Sequence, residues 1–398
     1  MSGAEPQHIP SELTAVFRDA FGREPSGVWS APGRVNLIGE HTDYNRGLCL
    51  PMAIPRRTWV AVAPRRDRRM RILSRQVPGE RTIELDGLLE GNRGGWAAYA
   101  VGVLWALEQA GREVRGLDVV VDGRVPLGSG LSSSAALECA VAVAAVDVLG
   151  LPGYEGDEGR RDLAAVCVRA ENEVAGAPTG GMDQSASLLA RADEALLLDF
   201  DGDHPPVHVP FDLASHGLAL LVMNTRAEHS LDDGQYGNRR EECVAAVAEL
   251  GVGSLRDLRP RDLDEVVPRL SSDVLRRRVR HVVTETERVT QAVAALEADD
   301  FDALTALFDA SHASMRDDFE ISCVELDTAV ETARAAGALA ARMTGGGFGG
   351  SAIAIVRDEL VGEVSRAVTA AFSRQGFRSP ELFPVTADGP ARRELQAP

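Results

Sequence analysis

The chain has 398 residues, 44% hydrophobic and 26% charged, which excludes the disordered and fibrous classes and leaves room for two domains with a cleft between them. Sixty acids against 42 basic residues leave a formal charge of −18, a field that repels nucleic acid and anionic lipid. All 42 basic residues are arginine, so neither a phosphate-loop lysine nor a Schiff-base lysine is available.

The first segment carries acids among its apolar residues and predicts a helix from about Ser11 rather than an export signal. Short apolar runs predict strands at Trp59 to Ala63, Leu117 to Val121, Ala195 to Phe200, Leu218 to Met223 and Ala352 to Val356. Helical periodicity covers 96–111, 132–149, 160–175, 238–250, 274–296, 301–314 and 324–336. The expectation is a mixed α/β (α+β) fold. The Asp-, Pro- and Gly-rich stretch 199–210 marks the boundary, giving an N-terminal unit 1–205 and a C-terminal unit 206–398. The most apolar run, 135–151, is broken by Glu138 and Asp147 and does not read as a membrane span. Cys49, Cys139, Cys167, Cys243 and Cys323 are scattered and form no C-x-x-C pair, which fits a reducing, cytoplasmic setting without a zinc site.

Several stretches carry chemistry. "SAPGRVNLIGEHTDYNRG", 30–47, crowds Arg34, Glu40, His41 and Asp43 around the apolar run Val35 to Ile38. "PRRDRRMR", 64–71, holds five arginines and reads either as a solvated turn or as a nucleotide-facing patch. In "VPLGSGLSSSAALECA" two glycines and three serines precede a strong helix former. A helix N-terminus of this kind binds anions without lysine, while a serine-capped buried helix explains the same residues.

In "RRDLAAVCVRAENEVAG", Leu163, Val166, Cys167, Ala170 and Val174 form one apolar face with Glu171 at its edge, and Glu173 points to water. A carboxylate there needs a partner, either an arginine or a Mg²⁺ ion. Asp183 follows two glycines at the start of a predicted helix, where an N-cap is the bland reading. "TGGGFGG" contains G-x-G-x-x-G from Gly345 to Gly350 but precedes a strand, against a dinucleotide fold; a glycine turn packed against the serine loop is the alternative. The charges of 238–250 and 274–296 read as solvated faces.

Taken together, "GRVNLIGEHTDYN" resembles the galactokinase signature, and "PLGSGLSSSAA" and "TGGGFGGSAIA" resemble the second and third motifs of the GHMP small-molecule kinases. "GGMDQSAS" and "NTRAEHSLDDGQYGNRR" are similar to further segments of the galactokinase family. The resemblance implies the two-domain GHMP fold with the active site in the interdomain cleft. It also implies transfer of phosphate from ATP to the anomeric hydroxyl of α-D-galactose. Carried onto matching positions, it implies sugar binding by Glu40, His41, Thr42, Asp43, Gly181 and Tyr236. It implies nucleotide binding by Ser74, Gly128, Ser129, Gly130, Leu131, Ser132, Ser133 and Ser134, and Mg²⁺ binding by Ser134 and Glu171, with Ser133 as competitor. Arg34 and Asp183 match the catalytic pair. Two other readings are a non-catalytic galactose and ATP sensor, and a kinase for a related sugar such as N-acetylgalactosamine or arabinose. The intact serine loop, Arg34 and Asp183 favour an enzyme.

Overall fold

The computed structural model describes residues 8–91, 94–227 and 234–396. Thirteen strands and eleven helices are assigned among them. The strands are β1 (Gly27–Asn36), β2 (Leu48–Cys49), β3 (Pro51–Pro64), β4 (Arg69–Ser74), β5 (Arg81–Glu84), β6 (Leu117–Gly123), β7 (Glu194–Asp199), β8 (Val207–Pro210), β9 (Leu218–Asn224), β10 (Ala340–Thr344), β11 (Ser351–Arg357), β12 (Glu381–Val385) and β13 (Arg392–Gln396). The helices are α1 (Ile9–Phe21), α2 (Ala98–Gln109), α3 (Ser133–Leu149), α4 (Gly156–Arg169), α5 (Met182–Leu189), α6 (Gln235–Leu250), α7 (Leu263–Val266), α8 (Asp273–Glu297), α9 (Phe301–Asp317), α10 (Val324–Ala335) and α11 (Val361–Gln375).

A six-stranded sheet runs β13-β1-β3-β6-β4-β5, antiparallel except for the parallel pair β4 and β6. Its strands alternate as a pleated sheet buried on both faces must. Trp29, Val60, Val62, Val119 and Val121 pack under α2, α3 and α4, while Val28, Ala61, Ala63 and Val120 meet Ile9, Leu13 and Phe17 of α1. A four-stranded sheet, β10-β11-β9-β12, does the same in the second half. Leu220, Val222, Ile353 and Ile355 face one core, and Leu221, Met223, Ala352 and Ala354 face the other. β2, β7 and β8 form a small third sheet.

Four of the five predicted strands lie within an observed one, the fifth runs one residue past β7 to Phe200, and every predicted helix overlaps an observed one. The apolar run read at Val35 to Ile38 begins in the last two residues of the longer β1, and Leu37 and Ile38 lie just beyond its end. The arginine stretch at 64–71 runs into β4, where Arg65 and Arg71, joined by Arg23, converge at 2.6–2.8 Å on the buried Asp118. Strand β4 escaped prediction because those arginines broke its apolar pattern, although Met70 and Ile72 are fully buried.

The core does not stop at residue 206. One apolar cluster joins Val35, Leu37, Ile38 and Met52 to Leu220, Val289, Phe308 and Ile353. The C-terminal strand β13 returns to pair with β1, covering an edge that would otherwise present a row of unpaired backbone groups.

Candidate active site

Arg34 leaves β1 at a register shift between Pro32 and Arg34 in its pairing with β3, an irregularity that re-aims a strand side chain. Beside it, a Cβ on Gly33 would stand 2.6 Å from the Leu131 carbonyl, so glycine lets the serine loop close against the strand; the Arg34 amide donates to that carbonyl at 3.1 Å. The Arg34 guanidinium donates to Asp183 Oδ1 from Nε (2.8 Å) and to the Gly130 carbonyl from Nη1 (2.5 Å), with Nη2 in ion-pair contact with the same Asp183 oxygen at 2.7 Å. Ser132 Oγ donates to the other oxygen, Asp183 Oδ2, at 2.6 Å. Asp183 is therefore no N-cap: Gly181 holds that position at φ 106°, and Asp183 is the second residue of α5. Ser132 occupies the N-cap of α3 in the left-handed region, yet its hydroxyl goes to Asp183 and not to its own helix.

The loop before α3 is shaped by Gly128 and Gly130, both at positive φ, and carries Leu127 out to 74% exposure. Ser129 Oγ donates to the Pro126 carbonyl at 2.6 Å, and Leu131 is buried beneath the loop. The "TGGGFGG" turn packs directly on it: a Cβ on Gly345 would lie 2.7 Å from the Gly130 carbonyl, and Ser351 Oγ donates to the Ser129 carbonyl at 2.7 Å. This is the loop-against-loop arrangement, not a dinucleotide fold. Ser133 opens α3, and Ser74 closes β4 with its hydroxyl on Gln76 Oε1 at 3.2 Å, beside the end of β6 that feeds this loop.

Glu171 follows α4, where the helix widens into a π turn at Ala170–Ala175. Its apolar neighbours Leu163, Val166, Cys167, Ala170 and Val174 are all buried, and Glu173 is turned outward to Arg169. Burial and the nearby Asp183 charge push Glu171 up to about 7 against hydrogen bonds from Ser134 and Gln184. The arginine alternative is not realised, because the guanidinium of Arg34 is spent on Asp183 and Gly130. A buried carboxylate bonded by neutral donors beside the first turn of α3 is a donor type that Mg²⁺ accepts, since that ion takes one or two carboxylates and completes its shell from other oxygens. The described residues hold no group of three or more His, Cys, Asp or Glu placed to hold a metal ion.

The sugar-signature residues lie on a turn after β1. Asp43 faces the same centre: burial, then the Asp183 charge, push it up to about 6. A Cβ on Gly180 would stand 2.1 Å from Asp43 Oδ2, so a side chain there would displace that carboxylate. His41, at φ 60°, uses both ring nitrogens, Nε2 at 3.0 Å from the Gly346 carbonyl and Nδ1 at 2.7 Å from Tyr44 Oη. Because a carbonyl only accepts, Nε2 carries the proton and Tyr44 donates to Nδ1. Burial holds His41 neutral, down to about 3. Tyr236, on α6, stacks against His41 and Tyr44 with ring centroids 4.9 and 5.7 Å away. Thr42 is fully buried and spends its hydroxyl on the Gly39 and Leu48 carbonyls, bracing the turn.

Glu40 lies deeper, bonded to Arg342 and accepting from the Gly345 amide at 3.1 Å. Burial, offset only in part by Arg342, raises its pKa. Behind it Glu285 accepts from the Gly39 amide (3.0 Å), Ser311 (2.6 Å) and Arg288 (2.8 Å), and His281 Nε2 donates to the Glu40 carbonyl at 3.1 Å. So α8 is not simply a solvated face: Arg278, His281 and Glu285 are buried. They share a helix face with Leu275, Val282 and Val289, and charged residues at inward positions are the signal that would have found them. Part of "NTRAEHSLDDGQYGNRR", residues 228–233, lies outside the described residues.

The galactokinase galactose-binding signature matches residues 15–64, the GHMP kinase N-terminal domain 98–191 and the GHMP kinase C-terminal domain 292–374. The galactokinase of Streptomyces coelicolor is 49% identical over 381 residues, 95% of this chain and 96% of that one. The galactokinase of Mycobacterium tuberculosis is 44% identical, over 89% of this chain and 95% of its own. Among solved structures, Lactococcus lactis galactokinase complexed with galactose superposes with a TM-score of 0.90 at 32% identity, covering 96% and 99% of the two chains. Methanococcus jannaschii mevalonate kinase, at TM-score 0.64 and 15% identity over 90% and 98%, shares the fold alone.

Proposed function

The chain belongs to the galactokinase family of GHMP kinases and is an ATP-dependent sugar kinase; from that premise we propose how its residues deliver the γ-phosphoryl group of ATP to the anomeric hydroxyl of α-D-galactose. The observation that carries the reading is Asp183, bonded on one oxygen by Arg34 and on the other by Ser132, with Asp43 beside it. One carboxylate thus touches the sugar-signature strand and the phosphate loop together.

Asp183 receives the anomeric hydroxyl, orients its oxygen toward the phosphoryl group and takes the proton late. A free aspartate, with a pKa of about 3.9, is a weak base toward a sugar hydroxyl. The transition state of phosphoryl transfer is loose in most analyses, so the nucleophile need not lose its proton early. Arg34 stabilises charge on the transferring phosphoryl oxygens with a planar fork. Gly128 to Ser134 and the N-terminus of α3 cradle the phosphates, and Ser74 contacts the nucleotide. Ser134 and Glu171 would hold Mg²⁺, which when bound would offset the negative charge of the phosphates.

Galactose is read by Asp43, with Tyr236, the Gly181 backbone and the turn of Glu40, His41 and Thr42 completing the pocket. Carboxylate acceptors in fixed directions discriminate hydroxyl stereochemistry, because an inverted hydroxyl leaves a buried acceptor unpaired. A cytoplasmic setting is supported by five unpaired thiols; among the described residues no helix is long and apolar enough to cross a membrane.

A coupled ADP-release assay with ATP and Mg²⁺ against galactose, glucose, N-acetylgalactosamine and arabinose tests this. Turnover with galactose is expected, and Asp183→Ala should lower it by roughly 10²–10⁴-fold. Binding of both substrates without ADP release would make the protein a sensor, and turnover with the N-acetyl sugar alone would sink the pocket assignment.

A further inference from the structure

Behind Glu171 lies a buried polar chain to which no role above applies. Gln184 is the residue after Asp183 on α5, and it is fully buried. Its amide nitrogen donates to Glu171 Oε2 at 2.5 Å and to Glu138 Oε2 at 3.0 Å. Glu138 is also fully buried and sits on α3 four residues after Ser134, hence on the same helix face. Three elements therefore meet at one amide: the phosphate-loop helix, the π turn and the helix that carries Asp183.

The arrangement has one orientation. An amide has a donor end and an acceptor end, and a half-turn of the Gln184 side chain would set its oxygen against two carboxyl groups. The nitrogen faces both, one oxygen of Glu171 and one of Glu138. Among the described residues no ion pair serves Glu138, and its Oε1, like Gln184 Oε1, has no hydrogen-bond partner. Burial, then the charge of Glu171, holds Glu138 well above the usual carboxylate range. A partly satisfied buried pair of this kind is costly and is not explained by stability alone.

We propose that Gln184, held in one orientation by Glu138, is the positioning residue for Glu171 and sets the direction in which that carboxylate meets a nucleotide-bound divalent cation. The inference rests on the reading of Glu171 as a metal ligand. Groups that orient a ligand from behind change metal affinity by about 10–100-fold when removed.

The test is titration of the full-length chain with Mn²⁺ in the presence of ADP, following free Mn²⁺ by electron paramagnetic resonance, together with KM for galactose. Gln184→Met, which keeps length and loses the donor, is expected to weaken Mn²⁺ binding by about 10–100-fold while KM for galactose stays within about twofold. Glu138→Ala should weaken it in the same direction, and Glu138→Gln should restore it. If Glu171→Gln loses Mn²⁺ affinity while Gln184→Met and Glu138→Ala bind like the wild type, the positioning role is wrong and the metal reading stands. If Glu171→Gln itself binds normally, the metal reading falls and this inference with it. Should Gln184→Met fail to fold by circular dichroism, the Glu138 pair decides: loss in Ala recovered in Gln supports the proposal, and equal binding in both overturns it.

Discussion

Arg34 makes two directed hydrogen bonds from one guanidinium, one to Asp183 and one to the Gly130 carbonyl in the loop before α3, with Nη2 in ion-pair contact with the same Asp183 oxygen. Lysine would keep the charge and lose the fork. Arg34→Lys is expected to cut kcat by roughly 10²–10³-fold with little change in KM for galactose; a large rise in KM alone would contradict charge stabilisation at the phosphoryl group. Asp43 has a pH signature. Burial, then Asp183, raises it to about 6, so in the sugar-free protein it takes up a proton as pH falls through that value and loses its charge and part of its capacity to accept from a hydroxyl. With ATP and Mg²⁺ saturating, kcat/KM for galactose should therefore fall about tenfold per unit below pH 6. The same limb should be absent in Asp43→Asn; an unchanged limb there would assign it to another group.

At the scale of elements, the site depends on two loops that approach main chain to main chain. Gly345 stands at φ 86°, and its Cβ would lie 2.7 Å from the Gly130 carbonyl, so both backbone conformation and space demand glycine. Gly345→Ala should cost about 1–3 kcal/mol in urea unfolding and raise KM for ATP. A variant with unchanged stability and unchanged KM for ATP would mean that the two loops do not depend on this contact. The π turn at Ala170–Ala175 and the α3 N-terminus serve the same end, since each breaks helical regularity where a polar group must face the loop.

For the whole molecule, the sugar signature is keyed into the second half by buried charges. Burial alone would raise Glu285, but Arg288 and Arg342 outweigh it and bring it down to about 2. A group lowered from an ordinary value of 4.5 contributes stability that is fully present above that pH and is lost as pH falls toward 2. Glu285→Gln should lower the unfolding free energy at pH 7 by about 3–5 kcal/mol, because it leaves a buried arginine under-compensated. The difference from wild type should shrink between pH 4.5 and 2, and a difference independent of pH would show that the carboxylate charge is not the cause.

Much of the chemistry was legible in the chain itself. Glycine spacing, the serine run and the Ala-rich stretch from Ala135 specify a loop opening a helix through local conformational preference, and the periodicity of 160–175 brings Glu171 to the rim of an apolar face. Arg34 and Asp183 stood out as motif members, although nothing local said that they touch. Tertiary structure alone decided the partners. Arg342 meets Glu40 across 302 residues of sequence, and Ser132 turns from its own helix to Asp183. The charges of α8 resembled a solvated face until the fold buried Arg278, His281 and Glu285. The physical reason is common to all of them: periodicity records which face of an element is apolar, whereas the worth of a buried polar group depends on donors and acceptors that arrive from elsewhere in the chain.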